Sequence, residues 1–337
     1  MPLTPYGEFH GRRHPSATEL QMPPIDPRLL DSVFFVYDSM QDARQNIEIG
    51  ASGFLVSVPL AMNQECGQAY AVTNKHVIES CPKKSVVLRL NNSSGEASTI
   101  SVRKEQWHLH PMTDVAITDI DFAIRDYRYT TIPTELFATK ERIEAERITH
   151  GDDVFMIGRF VAHAGKRKNL PSIRFGNISM MPSEPIRVGR QILPEAYLVE
   201  SRSIGGYSGS PVFVWILPGC NRQPLEFGVT YYSHMRGPWL LGIDCGHIET
   251  TEQIRNKDGT KSIGTVTFNS AMAATVPVWS LFDLFNEQSL VESRTREDER
   301  ITKEKAMGKW KQDLAVSRSK VSGSAVTMWR SVSRNKS

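Results

Sequence analysis

The sequence is poor in cysteine and has no long apolar stretch. Four of its 337 residues are cysteines, and no two of them form the close C-x-x-C pair that structural zinc sites favour. The first residues hold no apolar core of the kind that a secretory signal needs, and no run is long enough to span a membrane. These absences predict a cytoplasmic protein whose cysteines are reduced, namely Cys66, Cys81, Cys220 and Cys245.

Neither sign of charge dominates the chain. The formal net charge of +3 is too small to indicate a nucleic-acid partner. The charge is uneven, because residues 291–337 contain 12 Lys and Arg against 6 Asp and Glu, whereas the preceding body carries slightly more acid than base. A solvated basic tail is the simplest interpretation, and an acidic partner that binds this tail is the alternative.

Composition divides the chain into three predicted segments. Residues 1–29 contain six prolines and no periodic apolar pattern, which indicates an extended leader. Residues 30–292 form the predicted folded body. Residues 293–337 are charged and rich in serine, and we predict a basic tail that is partly helical or disordered.

Within the body, short apolar or β-branched runs alternate with Gly, Pro, Asn or Asp. Many short strands separated by turn residues predict an all-β fold, either a sandwich or a barrel. Two stretches predict helices instead, at about 31–49 and at 277–292, where the apolar residues of the second fall on one side. The runs that predict strands are 53–59, 69–73, 85–90, 115–117, 154–157, 196–199, 211–215 and 240–243.

One histidine is placed where it can reach a cleft. Acyl transfer by a serine needs a base, a carboxylate that orients the base, and donors for the developing oxyanion. Residues 69–76, Ala-Tyr-Ala-Val-Thr-Asn-Lys-His, read as a strand that ends in a polar turn and presents His76 at its tip. His76 is therefore the candidate base, although a histidine in this position is often structural.

Two aspartates are candidates for the orienting carboxylate. Asp114 opens an apolar strand after the loop His-Leu-His-Pro-Met-Thr, and Asp121 lies in a near copy of that strand start seven residues later. A turn-capping aspartate is the structural alternative for each. We prefer Asp114, because its Pro-containing loop lets the carboxylate emerge from the cleft side, and Asp121 stays the reserve.

The most specific signal in the chain is the segment 203–212, Ser-Ile-Gly-Gly-Tyr-Ser-Gly-Ser-Pro-Val. Glycines on both sides of Ser208 permit backbone conformations that bring adjacent N–H groups to one point beside the hydroxyl. A simple turn between strands is the alternative. Ser208 is the candidate nucleophile.

Together these segments resemble the trypsin-like serine peptidases of the chymotrypsin fold. Their chain order His, Asp, Ser is that of this family and differs from the subtilisins and the α/β-hydrolases. Residues 73–77 and 206–213 are most similar to the bacterial branch that includes the staphylococcal glutamyl endopeptidase and, more distantly, the HtrA peptidases. The resemblance covers about 50–285, with further support from residues 155–158, 174–179, 241–243 and 271–277.

The resemblance implies a fold and a mechanism. The fold would be two six-stranded antiparallel β-barrels, with a boundary near 135–150 and the site between them. Ser208 would attack a peptide carbonyl, His76 would act as base and then acid, Asp114 would orient His76, and the amides of Gly206 and Ser208 would form the oxyanion hole. The substrate would be a protein or peptide, and neither a metal nor a cofactor is required.

Departures from the family pattern leave the substrate preference open. Tyr207 replaces the usual Asp or Asn before the nucleophile. Asp244 stands where glutamyl endopeptidases have a histidine, which speaks against acidic substrates. Arg202, beside Ser203, lies near the expected specificity pocket and could pair with Asp244. By analogy with extracellular members, a Cys66–Cys81 disulfide is also conceivable.

An active endopeptidase is the leading hypothesis, and three alternatives accompany it. An HtrA-like quality-control protease would need to oligomerise through the leader or the tail. A catalytically silent scaffold would keep the fold and bind peptides without cleaving them. The basic tail could instead recruit the peptidase to a target, in which case deletion of residues 293–337 is predicted to leave peptide hydrolysis nearly intact.

Overall fold

The computed structural model describes residues 25–47, 50–120, 127–189, 191–201, 205–217, 236–257 and 262–308. It is mostly β-structure arranged in two lobes, which confirms the predicted fold class at that level. No helix in these ranges is both long and apolar enough to cross a membrane.

The first lobe is a nine-stranded sheet. Its path runs β5-β4-β1-β2-β3-β7-β6, with β8 paired to β4 and β9 paired to β2. Its strands are β1 (Val33–Tyr37), β2 (Ala51–Pro59), β3 (Gly67–Thr73), β4 (Ser85–Asn92), β5 (Ala97–Arg103), β6 (His108–Leu109), β7 (Ala116–Asp119), β8 (Tyr127–Arg128) and β9 (Ile132–Pro133).

The second lobe is a closed six-stranded barrel in the order β10-β11-β14-β17-β16-β15. A separate ribbon pairs β12 with β13. The strands are β10 (Asp153–Gly158), β11 (Ser172–Met180), β12 (Ile186–Val188), β13 (Gln191–Leu193), β14 (Tyr197–Glu200), β15 (Pro211–Ile216), β16 (Arg236–Arg255) and β17 (Ser262–Pro277). Two closed barrels are therefore not confirmed, because the sheet of the first lobe is open.

Five α-helices and four 3-10 turns connect the strands in the described ranges. The helices are α1 (Met40–Gln45), α2 (Lys75–Ser80), α3 (Lys140–Glu146), α4 (Ser280–Phe285) and α5 (Gln288–Ala306). The 3-10 turns are Pro27–Ser32, Lys104–Gln106, Thr134–Leu136 and Val161–His163.

The helix predicted over 31–49 is wrong for most of its length. All five residues of β1 are buried, and the strand pairs with β2 on one side and with β4 on the other. Its sequence, Val-Phe-Phe-Val-Tyr, consists of β-branched and aromatic residues, which favour a strand that is covered on both faces. Only α1 is helical there, with Ser39 Oγ accepting a hydrogen bond from the Asp42 N–H at 3.1 Å.

The predicted C-terminal helix is present as two helices, and the second is longer than predicted. α5 crosses the position predicted as the end of the body, residue 292, and runs along the first lobe. Its buried Asp298 accepts hydrogen bonds from Met62 N at 2.7 Å and from Asn63 Nδ2 at 2.6 Å. The division into leader, body and tail stays a prediction, and most of residues 1–29 lie outside the described ranges.

Candidate active site

His76 and Asp114 meet at the end of the first lobe that faces the barrel. β3 ends at Thr73, and the chain turns at once into α2, whose second residue is His76. Asp114 Oδ1 accepts a hydrogen bond from the His76 backbone N–H at 2.9 Å, and Asp114 Oδ2 lies 2.6 Å from His76 Nδ1. The carboxylate therefore holds the ring proton on Nδ1 and leaves Nε2 as an acceptor.

The two members of this pair differ in exposure. The Asp114 side chain is 1% exposed, whereas the His76 side chain is 35% exposed. Asn74 Nδ2 donates to the Asp114 carbonyl at 2.9 Å, which fastens the turn before β7 to the end of β3. A buried carboxylate with fixed partners beside a half-exposed imidazole can orient that imidazole toward the solvent side of a cleft.

The Ser208 turn depends on two glycines with positive φ. Gly206 has φ of +98° and Gly209 has φ of +85°, values that L-residues with a Cβ adopt at a cost. A Cβ on Gly209 would lie 2.1 Å from the Ser52 carbonyl oxygen, so a side chain has no room there. The prediction that glycines shape this turn is consistent with both observations.

Ser52 of β2 fastens the Ser208 turn to the first lobe. The Ser52 N–H donates to the Ser208 carbonyl at 2.8 Å, and Ser52 Oγ donates to the Gly206 carbonyl at 2.7 Å. The same Oγ accepts from the Arg159 N–H at 2.9 Å. Since Ser52 is fully buried, these bonds are shielded from water and hold the two lobes in register at the candidate nucleophile.

Tyr207 anchors the turn on its other side. Its ring is fully buried, its hydroxyl makes a short hydrogen bond with Ser172 Oγ of β11, and the Arg174 guanidinium lies 5.0 Å from the ring centroid. The sequence suggested that replacing the family's Asp or Asn leaves this turn without a supporting side chain. The structure gives it a different support, which reaches into the barrel wall.

β16 brings the Ser208 turn toward Asp114. The Asp244 carbonyl accepts from the Gly209 N–H at 2.8 Å, and a Cβ placed on Gly246 would lie 4.0 Å from Ser208 Oγ. Burial, together with the negative charges of Asp114 and Asp244, raises the pKa of the Cys245 thiol well above its ordinary range. The thiol thus feels the Asp114 carboxylate one residue away from the strand position next to Ser208.

The described structure contains no hydrogen bond between His76 Nε2 and Ser208 Oγ. Such bonds are often long in the absence of substrate and shorten when the reacting complex forms. The structure therefore brings His76 and Asp114 into contact and places Ser208 on the adjoining turn.

The other predicted site residues are only partly described. Asp244 is fully buried in β16, whereas Arg202, Ser203, the reserve Asp121 and Cys220 lie outside the described residues. Cys66 and Cys81 are free buried thiols, so the conceivable disulfide between them is absent.

Sequence reasoning missed Ser52 and Asn74. Ser52 follows Ala51 and precedes Gly53 in a run of small residues, and nothing local marks it as a partner for a turn more than 150 residues later. Asn74 lies inside the histidine segment, but its bond to Asp114 depends on the pairing of β3 with β7. A polar residue at a buried strand position is the one signal that points to Ser52.

Comparison with known proteins agrees with this geometry. Residues 51–214 match the model of the trypsin-like peptidase domain, a range that includes His76, Asp114 and Ser208. The chain thus carries a trypsin-like peptidase domain, and the resemblance to that family is confirmed. The particular resemblance to glutamyl endopeptidase stays a prediction.

Solved structures with a similar fold include two bacterial-type proteases. The MamO protease domain from Magnetospirillum magneticum is 15% identical, with a TM-score of 0.44, and the match covers 77% of this chain and 99% of that one. The HtrA-type protease AlgW is 14% identical, with a TM-score of 0.40, and the match covers 79% of this chain and 66% of that one. No curated protein matches the chain.

Proposed function

We propose that the chain is a serine endopeptidase that works through an acyl-enzyme intermediate. The observation that carries the proposal is the two-point contact of Asp114 with His76, because it fixes the imidazole tautomer that a general base requires. The peptidase family supplies the reaction class, and the anchored Ser208 turn supplies a nucleophile in the right chain order.

In the first half-reaction, Ser208 Oγ attacks the scissile carbonyl carbon while its proton passes to His76 Nε2. The carbonyl oxygen becomes an oxyanion, which the amides of Gly206 and Ser208 stabilise. In support, neither amide donates to an acceptor in the described part of the protein. His76 then gives the proton to the leaving amine, and the C–N bond breaks to leave the acyl-enzyme.

In the second half-reaction, water attacks the ester and His76 Nε2 takes its proton. The new tetrahedral intermediate collapses, the C–O bond to Ser208 breaks, and Oγ recovers the proton from His76. Asp114 stays ionised throughout and stabilises the imidazolium that forms twice in each cycle.

A fluorophosphonate probe together with a peptide library tests this proposal. We expect the probe to label Ser208 in the wild type and not in Ser208→Ala. Asp114→Asn should lower kcat by about 10⁴-fold, because the wrong tautomer is then favoured. Asp121→Asn is the matched control and should retain activity. An inactive Asp121→Asn beside a normal Asp114→Asn would show that the carboxylate is misassigned.

A catalytically silent scaffold is the second candidate function. The observation that favours it is the missing hydrogen bond between His76 Nε2 and Ser208 Oγ in the described structure. A native protein that binds library peptides, stays unlabelled by the probe and leaves the peptides intact would establish this candidate instead.

A further inference from the structure

His110 is the hub of the turn that carries Asp114. The residue follows β6, and only 5% of its surface is exposed. Its Nδ1 accepts hydrogen bonds from the backbone N–H groups of Met112 at 3.1 Å and Thr113 at 2.9 Å. Its Nε2 lies 3.2 Å from Asp283 Oδ2 of α4. The imidazole thus joins the turn to a helix of the C-terminal region.

These contacts define one protonation state. An imidazole nitrogen that accepts from two N–H groups carries no proton, so Nδ1 is unprotonated and the ring proton lies on Nε2, where it faces Asp283. Adding a proton at Nδ1 would set three donors against one another. The turn from His110 to Thr113 therefore requires the neutral ring.

The turn in question ends at the candidate orienting carboxylate. Pro111 has no N–H, so Met112 and Thr113 supply the first two donors of the turn, and both point to the same nitrogen. The peptide of Thr113 is bonded directly to Asp114. The backbone of His110 closes the other side, because its N–H donates to the Val115 carbonyl at 2.9 Å.

We propose that His110, in its neutral form, is a positioning residue that sets the place of the Asp114 carboxylate against His76, and that its protonation releases this turn. The inference rests on the proposed function. His110 does not touch the reacting atoms, so its effect passes through Asp114. Displacement of a catalytic group by about 1 Å can lower the rate by about 100-fold.

Several charged groups face His110 and share in any pH effect. Asp283 approaches from α4, and Lys75 Nζ of α2 donates to the His110 carbonyl at 3.2 Å. His110 also lines a cavity of about 550 Å³ whose other charged residues are Lys140, Glu141 and Glu195. The neighbouring pair of His108 and Glu287, at 2.5 Å, completes the set together with His76 itself. Variants at position 110 are therefore needed to isolate its titration.

Two variants separate the functions of the two ring nitrogens. Asn places its side-chain oxygen where His has Nδ1, and Asn commonly accepts from backbone N–H groups in such turns. His110→Asn therefore keeps the acceptor and loses the contact with Asp283. Gln carries its amide one bond further out, so His110→Gln keeps a donor for Asp283 and loses the acceptor. His110→Leu loses both.

The kinetic test measures kcat and KM against pH for these variants on the best library peptide. We expect His110→Asn to lie within about threefold of the wild type, and His110→Gln and His110→Leu to lose about 10- to 100-fold, mainly in kcat. The acid limb of the wild type should steepen as a second imidazole protonates, whereas His110→Asn should follow a single ionisation. Equal loss in the Asn and Gln variants, or an identical acid limb in wild type and His110→Asn, would overturn the proposal.

A second readout does not depend on turnover. In a Ser208→Ala background, the low-field proton resonance of His76 Nδ1–H reports its hydrogen bond with Asp114. We expect it to persist in His110→Asn and to shift or vanish in His110→Leu, with thermal unfolding confirming that each variant is folded. An unchanged resonance in a folded His110→Leu protein refutes the positioning role. Failure of the fluorophosphonate probe to label the wild type refutes only the proposed function.

Discussion

Gly209 occupies a position where the backbone conformation and the surroundings both exclude a side chain. Its φ of +85° is matched by Gly95, whose φ is +82°. A Cβ on Gly209 would approach Ser52 O and Thr73 Oγ1 to 2.1 and 2.5 Å, whereas a Cβ on Gly95 would meet nothing within 4 Å. Gly95→Ala should cost only the conformational term of about 1–2 kcal/mol. Gly209→Ala should in addition displace Ser208 and abolish hydrolysis, and activity comparable to that of Gly95→Ala would contradict this.

Ser52 offers a second test on a single side chain. Replacing it with Ala leaves the Gly206 carbonyl and the Arg159 N–H without their buried partner, which we expect to lower the free energy of unfolding by about 1–3 kcal/mol. Because the Gly206 peptide adjoins the proposed oxyanion hole, kcat should fall by at least about tenfold. Ser57→Ala, on the same strand but only half-buried, is the control for denaturant titration and kinetics. A normal kcat in a destabilised Ser52→Ala protein would limit Ser52 to a structural role.

These residues show how far local sequence carries the assignment of a site. The glycines around Ser208 and the polar turn before His76 are local signals, so both segments could be found from the sequence. Ser52, Tyr207 and His110 act through partners on other strands or helices, and their roles depend on long-range pairing that no spacing reveals. Asp114 is intermediate, because the loop suggested it but only contact with His76 separates it from its neighbours.

Helix α5 is held to the first lobe by a buried polar contact. Asp298, 2% exposed, accepts from Met62 N and Asn63 Nδ2, and Ile301 packs with Leu60 and Cys66 beneath the helix. Asp298→Ala leaves both donors unsatisfied, at about 1–3 kcal/mol for each. We expect it to release α5 and to accelerate thiol labelling of Cys66, measured by mass spectrometry of its peptide. Glu299→Ala, exposed on the same helix, should label at the wild-type rate, and equally slow labelling of both would show that Asp298 does not secure the helix.

The packing of α5 also explains where sequence reasoning set the wrong limit for an element. Residues after 292 are mostly charged, and the two anchors Asp298 and Ile301 are too sparse to produce an apolar stripe. Deletion of residues 293–337 removes both anchors, so the earlier expectation of nearly intact hydrolysis now applies to a chain that ends at residue 308. β1 failed for the converse reason, since a short continuous apolar run does not distinguish a buried strand from a helix.

The protein as a whole could be assigned to a two-lobed β fold from its sequence, but closure of the sheets could not. Recurrent short strands and the order of the three motifs are properties of the chain itself. Closure depends on whether the first and last strands of a lobe pair, as β10 and β15 do in the second lobe. In the first lobe the described sheet ends at β5 and β6, and no local pattern indicates that difference.

Stability of the whole protein should fall in alkali because buried groups resist ionisation. Burial raises the pKa of Cys81, and burial with the nearby carboxylates raises that of Cys245. A folded-state pKa above the unfolded value means that the stabilisation is complete below the ordinary thiol pKa of about 8.5 and is lost as the pH rises above it. Each such thiol removes about 1.4 kcal/mol per pH unit until the folded group also ionises. Urea unfolding at pH 7.5, 8.5 and 9.5 should therefore show a slope that is shallower by about this amount in Cys245→Ala. Val276→Ala, which removes buried volume from the paired strand without a titrating group, should keep the wild-type slope. Parallel slopes for the wild type and Cys245→Ala would mean that the Cys245 thiol ionises as readily in the folded protein as in the unfolded chain.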